Sequence, residues 1–306
     1  MKNKENIAGI LCLIAMFFVI INLFAVAFPQ YAAIFFAQGK TVEAVVAKYE
    51  KAPKEAKVKI LIVPGHEADF GGALYNGLIE RDMNVALAEK ILSELSLNEK
   101  FQIILARDYY KWNPILADYF TKNLEAIKKW KDDQKGAMLS LVKNGKIQLI
   151  DSVPHSTAPT AQALRLYGIN KWANENKVDI VLHVHFNDNY RKNGVPKYSG
   201  FSVYVPEEQY SNATSSVALA GDLLAELLRI GHVSTLEPES AGVVEDQDLI
   251  AIGSYNTADA LSVLIEYGYI YESQFKTRDL RTVFYDKAAK ATTQGVVNFF
   301  ESRSSF

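Results

Sequence analysis

The sequence predicts an α/β domain: a single open, mostly parallel or mixed twisted sheet flanked by helices, with a transmembrane helix ahead of it at the N-terminus. Three observations carry this. A short apolar run from Val58 to Val63 is followed by a helical pattern and then by a second apolar run, Phe101 to Ala106. The same alternation returns from Leu164 onward. The stretch from Ile7 to Phe28 carries no charge. Strand, helix, strand at this spacing opens an α/β sheet.

Taken in order, Ile7 to Phe28 would make a helix of roughly 33 Å, enough to cross a hydrocarbon core of about 30 Å. Lys2 and Lys4 precede it, against Glu5, so the positive-inside bias places residues 1–6 in the cytoplasm and the rest of the chain outside. An uncleaved signal anchor is expected, with the remainder of the chain on the periplasmic or cell-surface side. A cleaved signal is the alternative, since Ala25-Val26-Ala27 fits a small-x-small cleavage pattern. Residues 29–56 read as a membrane-proximal segment and linker, with a short helix around Val45-Val46-Ala47. The folded domain is expected over 57–306.

Val58 to Val63, closed by Pro64-Gly65, suits a buried strand ending in a turn. Val85, Leu87, Ala88, Ile91, Leu92 and Leu95 then recur at helical spacing after Glu80-Arg81-Asp82. Between Tyr109 and Thr160 the rhythm breaks. Ile115 to Trp130 describes a separate amphipathic helix, extended by Met138 to Val142, so 109–160 reads as an insertion packed on the sheet, with a lid over the groove as a second reading. Further strands are expected at Val178–Phe186, Phe201–Val205, Leu249–Ile252 and Leu261–Tyr267. Helices are expected at Leu164–Asn176, at Ser216–Ile230 before Gly231, and at Phe284–Phe300.

The composition limits the chemistry. Of 306 residues, 49% are apolar, and 33 basic side chains face 35 acidic ones, which argues against a nucleic-acid partner. There is one cysteine and there are five histidines, so a metal site must be built from His and carboxylates. Three strand ends carry such groups: His66 after Pro64-Gly65, His185 near the end of its strand, and Glu266 after Ser262-Val263-Leu264-Ile265. Sites in open α/β sheets assemble outside the carboxyl ends of the strands. Glu80, in the first turn of the helix after His66, is a fourth candidate, although helix N-termini attract carboxylates in any case. His183 shares a strand face with His185 by period two. A buried Glu266 needs a partner or a metal. His155 and His232 stand in turn contexts and read as structural.

Two histidines and a carboxylate, with one position left to water, suit hydrolytic zinc. Together these residues resemble the zinc-dependent N-acetylmuramoyl-L-alanine amidases of bacterial cell-wall turnover. The resemblance rests on Ile62-Val63-Pro64-Gly65-His66, on Gly77-Leu78-Ile79-Glu80 with Asn84, and on Arg107-Asp108. It continues through His183-Val184-His185-Phe186-Asn187 preceded by Asp179, Gly200-Phe201-Ser202-Val203-Tyr204, and Leu264-Ile265-Glu266-Tyr267-Gly268-Tyr269-Ile270. The match is collinear from about Val58 to Phe275. It implies one zinc ion held by His66, Glu80 and His185, with Glu266 as catalytic acid/base.

His183, Asn187, Phe186 and Tyr267 are further candidates for support of the site or for the substrate groove. Val63, Phe186 and Tyr267 depart from the family pattern, and bulk at the last two is expected to reshape the groove. The implied substrate is peptidoglycan, with a protein activator left open. The alternatives are another zinc peptidase or amidase on a similar scaffold, carboxypeptidase-like, and a catalytically silent peptidoglycan-binding protein.

Overall fold

The computed structural model describes residues 37–304 except 68, 156, 192 and 193. The expected cytoplasmic stub at 1–6 and membrane segment at 7–28 lie outside the described residues. Among those described, no helix is long and apolar enough to cross a membrane.

Among the described residues eight strands are formed: β1 (Val58–Pro64), β2 (Leu74–Tyr75), β3 (Leu78–Ile79), β4 (Phe101–Leu105), β5 (Ile180–Asn187), β6 (Ser202–Pro206), β7 (Val243–Asp246) and β8 (Leu261–Tyr269). Six of them make one sheet in the order β4-β1-β5-β8-β6-β7, while β2 and β3 pair separately. Every pairing in the large sheet is parallel except β6 with β8. The mixed, mostly parallel sheet expected from the sequence is therefore present. Seven α-helices flank it: α1 (Val42–Lys51), α2 (Glu80–Leu95), α3 (Pro114–Lys122), α4 (Leu124–Lys143), α5 (Thr160–Glu175), α6 (Ala213–Leu227) and α7 (Arg278–Glu301).

The alternation of strand side chains divides the core. Ile60, Ile62, Leu182, Val184, Phe186, Val263, Ile265 and Tyr267 face a large cluster shared with α1, α2, α6 and α7. Leu61, Val63 and Val181 face the other way, toward Leu116 of α3 and Ile169, Trp172 and Ala173 of α5. That second face is the one on which His183, His185 and Glu266 stand.

The structure corrects three expectations. Residues 42–51 are part of the folded body rather than linker, because Val42, Val45, Val46 and Tyr49 repeat at helical spacing and pack into the main core. Lys40 and Lys48 fasten this segment to the buried carboxylate of Asp179, at 2.6 and 2.5 Å. The insertion holds two helices, not one: Asn123 closes α3 and opens α4. Leu249–Ile252 is not a strand; Ile250–Ile252 forms a 3-10 turn ending on Gly253, whose φ is 109°. The edge strand lies just before it, at Val243–Asp246, paired with β6.

Candidate metal centre and cavity

His66 stands two residues beyond the end of β1 and has a φ of 63°, a left-handed conformation uncommon for a side chain this size. The turn that imposes it is held from several sides. The Gly65 amide donates to the Val184 carbonyl at 2.9 Å. The Gly65 carbonyl accepts from Asn84 Nδ2 at 3.0 Å and from the buried Arg107 guanidinium, which also donates to the Pro64 carbonyl at 3.1 Å. Burial lowers the Arg107 pKa to about 10. Asn84 and Arg107, visible in the sequence only as parts of motifs, thus work by fixing the turn.

Glu80 opens α2, and its side chain reaches back across the sheet end. Its Oε2 lies 2.9 Å from His66 Nε2 and its Oε1 lies 3.0 Å from His185 Nδ1. Backbone amides of Ala73 and Phe186 donate to the same carboxylate at 2.9 and 3.3 Å. Burial alone would raise its pKa, but the two imidazoles hold the carboxyl far below the ordinary range. Two glycines make room for this cluster. A Cβ on Gly65 would stand 2.2 Å from the His185 ring, and one on Gly72 would stand 2.4 Å from Glu80 Oε2.

His66, Glu80 and His185 each offer a ligand atom, and these atoms lie within 4.8 Å of one another. Among the described residues this is the one such cluster of three. Two nitrogens and one carboxylate oxygen suit a borderline divalent cation such as zinc. His66 Nδ1 and Glu266 Oε2 are buried polar atoms without a hydrogen-bond partner, which fits a site designed around a further group.

Glu266 is paired in register with His185 across β8 and β5, so both side chains leave the same face. The register shifts immediately afterwards, at Gly268, whose φ is 124°, as at a bulge. Burial, then the charges of Glu80 and Glu239, push the Glu266 carboxyl well above the usual carboxylate range. It holds its proton to higher pH than an ordinary carboxyl does.

The other candidates separate. His183 is buried beside the site and lines the same cavity as His66 and His185. Burial, with the neighbouring His185, lowers its pKa to about 3. Asn187 donates to Glu239 at 2.8 Å. Phe186 and Tyr267 do not reach the groove. Each is one residue beyond His185 or Glu266, so period two sends both into the opposite core, where the Tyr267 hydroxyl meets Thr292 at 2.7 Å.

Two features escaped the sequence reading. Glu239 is buried and accepts from the Tyr204 and Tyr269 hydroxyls as well as from Asn187. His155 stands not in a plain turn but on the cavity wall, its Nε2 3.1 Å from the buried Asp246.

Fold and site define an α/β protein with a metal-competent His-Glu-His set and a protonatable glutamate at the carboxyl ends of its strands. The chain belongs to the N-acetylmuramoyl-L-alanine amidase family, whose sequence model matches residues 60–298. No curated protein matches it. Among solved structures it is similar to an N-acetylmuramoyl-L-alanine amidase of Clostridium difficile 630, at 17% identity and a TM-score of 0.51, over 81% of this chain and 99% of that one. The CwlD amidase of Clostridioides difficile, solved with the GerS lipoprotein, matches at 17% identity and a TM-score of 0.54, over 80% and 100% of the two chains. An N-acetylmuramyl-L-alanine amidase of Mycobacterium smegmatis matches at 15% identity and a TM-score of 0.53, over 81% and 100%. Likeness at these identities concerns the fold.

Proposed function

We propose that this chain hydrolyses the amide between the lactyl group of N-acetylmuramic acid and L-alanine of the peptidoglycan stem, as a zinc-dependent enzyme acting outside the cytoplasm. Family membership supports the reaction class. The observation that carries the catalytic assignment is Glu266, in register with His185 and with one buried, unpartnered carboxylate oxygen.

His66, Glu80 and His185 would hold the ion, which when bound supplies a polarised carbonyl and a water acidic enough to ionise near neutrality. Glu266 would take a proton from the attacking water and return it to the departing amine. The carbon–nitrogen bond breaks, the lactyl carbonyl carbon takes the water oxygen and becomes a carboxylate, and alanine leaves with a free amino terminus. Asn84 and Arg107 keep the Pro64-Gly65-His66 turn in place while this occurs.

The test is Glu266→Gln. Zinc content should persist while muropeptide hydrolysis falls by about 10³-fold, inside the usual contribution of about 10²–10⁴ for a positioned acid or base. Retained turnover sinks the assignment. Product analysis separates the carboxypeptidase-like alternative, which would leave the lactyl amide intact.

The uncharged run from Ile7 to Phe28 supports a tether that keeps the enzyme near the membrane. Resistance of the full-length protein to alkaline extraction from membranes is expected. Recovery of a mature protein starting near Phe28 would replace the tether with a cleaved signal.

A further inference from the structure

The inserted segment reaches the candidate metal centre. A cavity of about 650 Å³ is lined by His66 and His185 and, from the insertion, by Lys131, Lys135 and His155. Lys131 and Lys135 are four residues apart on α4, which places them on one helix face, and both are half-buried. Lys129, on another face, is 76% exposed and pairs with Asp133.

The acidic groups on this wall are mostly spoken for. Glu67 Oε1 accepts from Arg165 Nε at 2.9 Å, and its Oε2 accepts from the Trp112 indole at 3.2 Å. Asp246 receives His155 and the backbone amides of Asp248 and Leu249, each amide at 2.8 Å. Asp248 itself is exposed. Lys131 meets its neighbour Asp132, whose side chain is 67% exposed. Lys135 lies 5.3 Å from the centre of the Tyr255 ring and has no carboxylate within 4 Å among the described residues.

The 150–155 stretch of the cavity lining is also braced. The Ile150 amide donates to Gln247 Oε1 at 3.2 Å, the Gln247 amide donates to Ser152 Oγ at 3.3 Å, and Asp246 holds His155. The cavity therefore joins a floor of His66, His183 and His185, with the Glu80 carboxylate bonded behind His66 and His185, to a wall bearing two ammonium groups.

We propose that Lys131 and Lys135 form a subsite for a carboxylate on the peptide portion of the substrate, an inference that rests on the amidase reading above. An amide seated at the floor extends a sugar one way and a peptide the other. Of these arms, the peptide is the one that ends in a free carboxylate. Two half-desolvated ammonium groups bind such a charge more strongly than they would at an open surface.

The experiment uses the zinc-loaded full-length protein and two probes: muramoyl dipeptide with a free C-terminal carboxylate, and its C-terminal primary amide. The free acid should be preferred in kcat/KM by about tenfold, the size of one charge-assisted hydrogen bond at a partly exposed site. The Lys131→Gln/Lys135→Gln double variant should lose that preference, while Lys129→Gln keeps it; circular dichroism checks that each is folded. No preference in the parent, or a preference unchanged in the double variant, overturns the subsite. Cleavage of neither probe overturns the amidase reading instead. Calorimetric binding of the same two probes to the same proteins then decides the subsite, by the presence or absence of the same preference and its loss.

Discussion

Gly65→Ala isolates the fit between the Pro64-Gly65-His66 turn and the candidate ligand His185. The new Cβ would stand 2.2 Å from both Cε1 and Nε2 of the imidazole, roughly 1.2 Å short of ordinary contact. The backbone cannot retreat cheaply. Its amide is bonded to Val184, and its carbonyl to Asn84 and Arg107. The imidazole must move, leaving its rotamer at about 1 kcal/mol and carrying its ligand nitrogen out of line with His66 and Glu80. Misorienting a metal ligand in this way should cost about 10–100-fold in metal affinity. Competition for zinc against a chromogenic chelator measures this, with a melting curve to show that the protein is folded. Gly136→Ala is the control, since a Cβ there meets nothing within 4 Å. Gly65→Ala protein that binds zinc within about threefold of the parent would refute the claim that the pocket has no slack.

Asp179→Ala strands Lys40 and Lys48 and frees the Lys59 amide. It should cost about 3 kcal/mol in urea unfolding, and a loss under about 1 kcal/mol would contradict the clasp. His183 is neutral in the fold, with a pKa lowered to about 3. Its contribution is complete above the unfolded value near 6.5 and is lost as pH falls toward about 3, by up to about 1.4 kcal/mol per pH unit. His183→Gln should therefore flatten the acid limb of stability in metal-free protein, and equal slopes between about pH 6.5 and 4 would count against it. Asp246→Asn should loosen the 145–159 segment and speed tryptic cleavage after Lys146; unchanged cleavage would show that His155 is not its anchor.

Much of the sheet was legible because its central strands are buried on both faces and read as apolar runs: Val58–Val63, Val178–Phe186 and Leu261–Tyr267. His185 and Glu266, which interrupt those runs, and His66, which follows the first of them, stood out for the same reason. The edge was harder. Val243–Asp246 has two apolar residues and owes its conformation to β6, whereas the more apolar Leu249–Ile252 is bent into a turn before Gly253, so context outweighed strand propensity. Phe186 and Tyr267 were drawn toward the groove by their neighbours in sequence, although a one-residue step along a strand reverses the face. His155 and Glu239 gave no local signal. Their partners lie 91 residues away at Asp246, and 52, 35 and 30 residues away at Asn187, Tyr204 and Tyr269.

The helix at Val42–Lys51 decides where a working recombinant fragment can begin. A start at Val58 would discard both lysines and leave Asp179 buried as an uncompensated anion. It would also open the hollow filled by Val45, Val46 and Tyr49, whose ring stacks on Phe300 at 4.5 Å. A start at Thr41 keeps the helix but drops Lys40 and the amides of residues 37–40 that tie the chain to Asn256 and Asp259. A fragment that includes Ala37 retains all of these ties, and its yield of folded protein should exceed that of either shorter one.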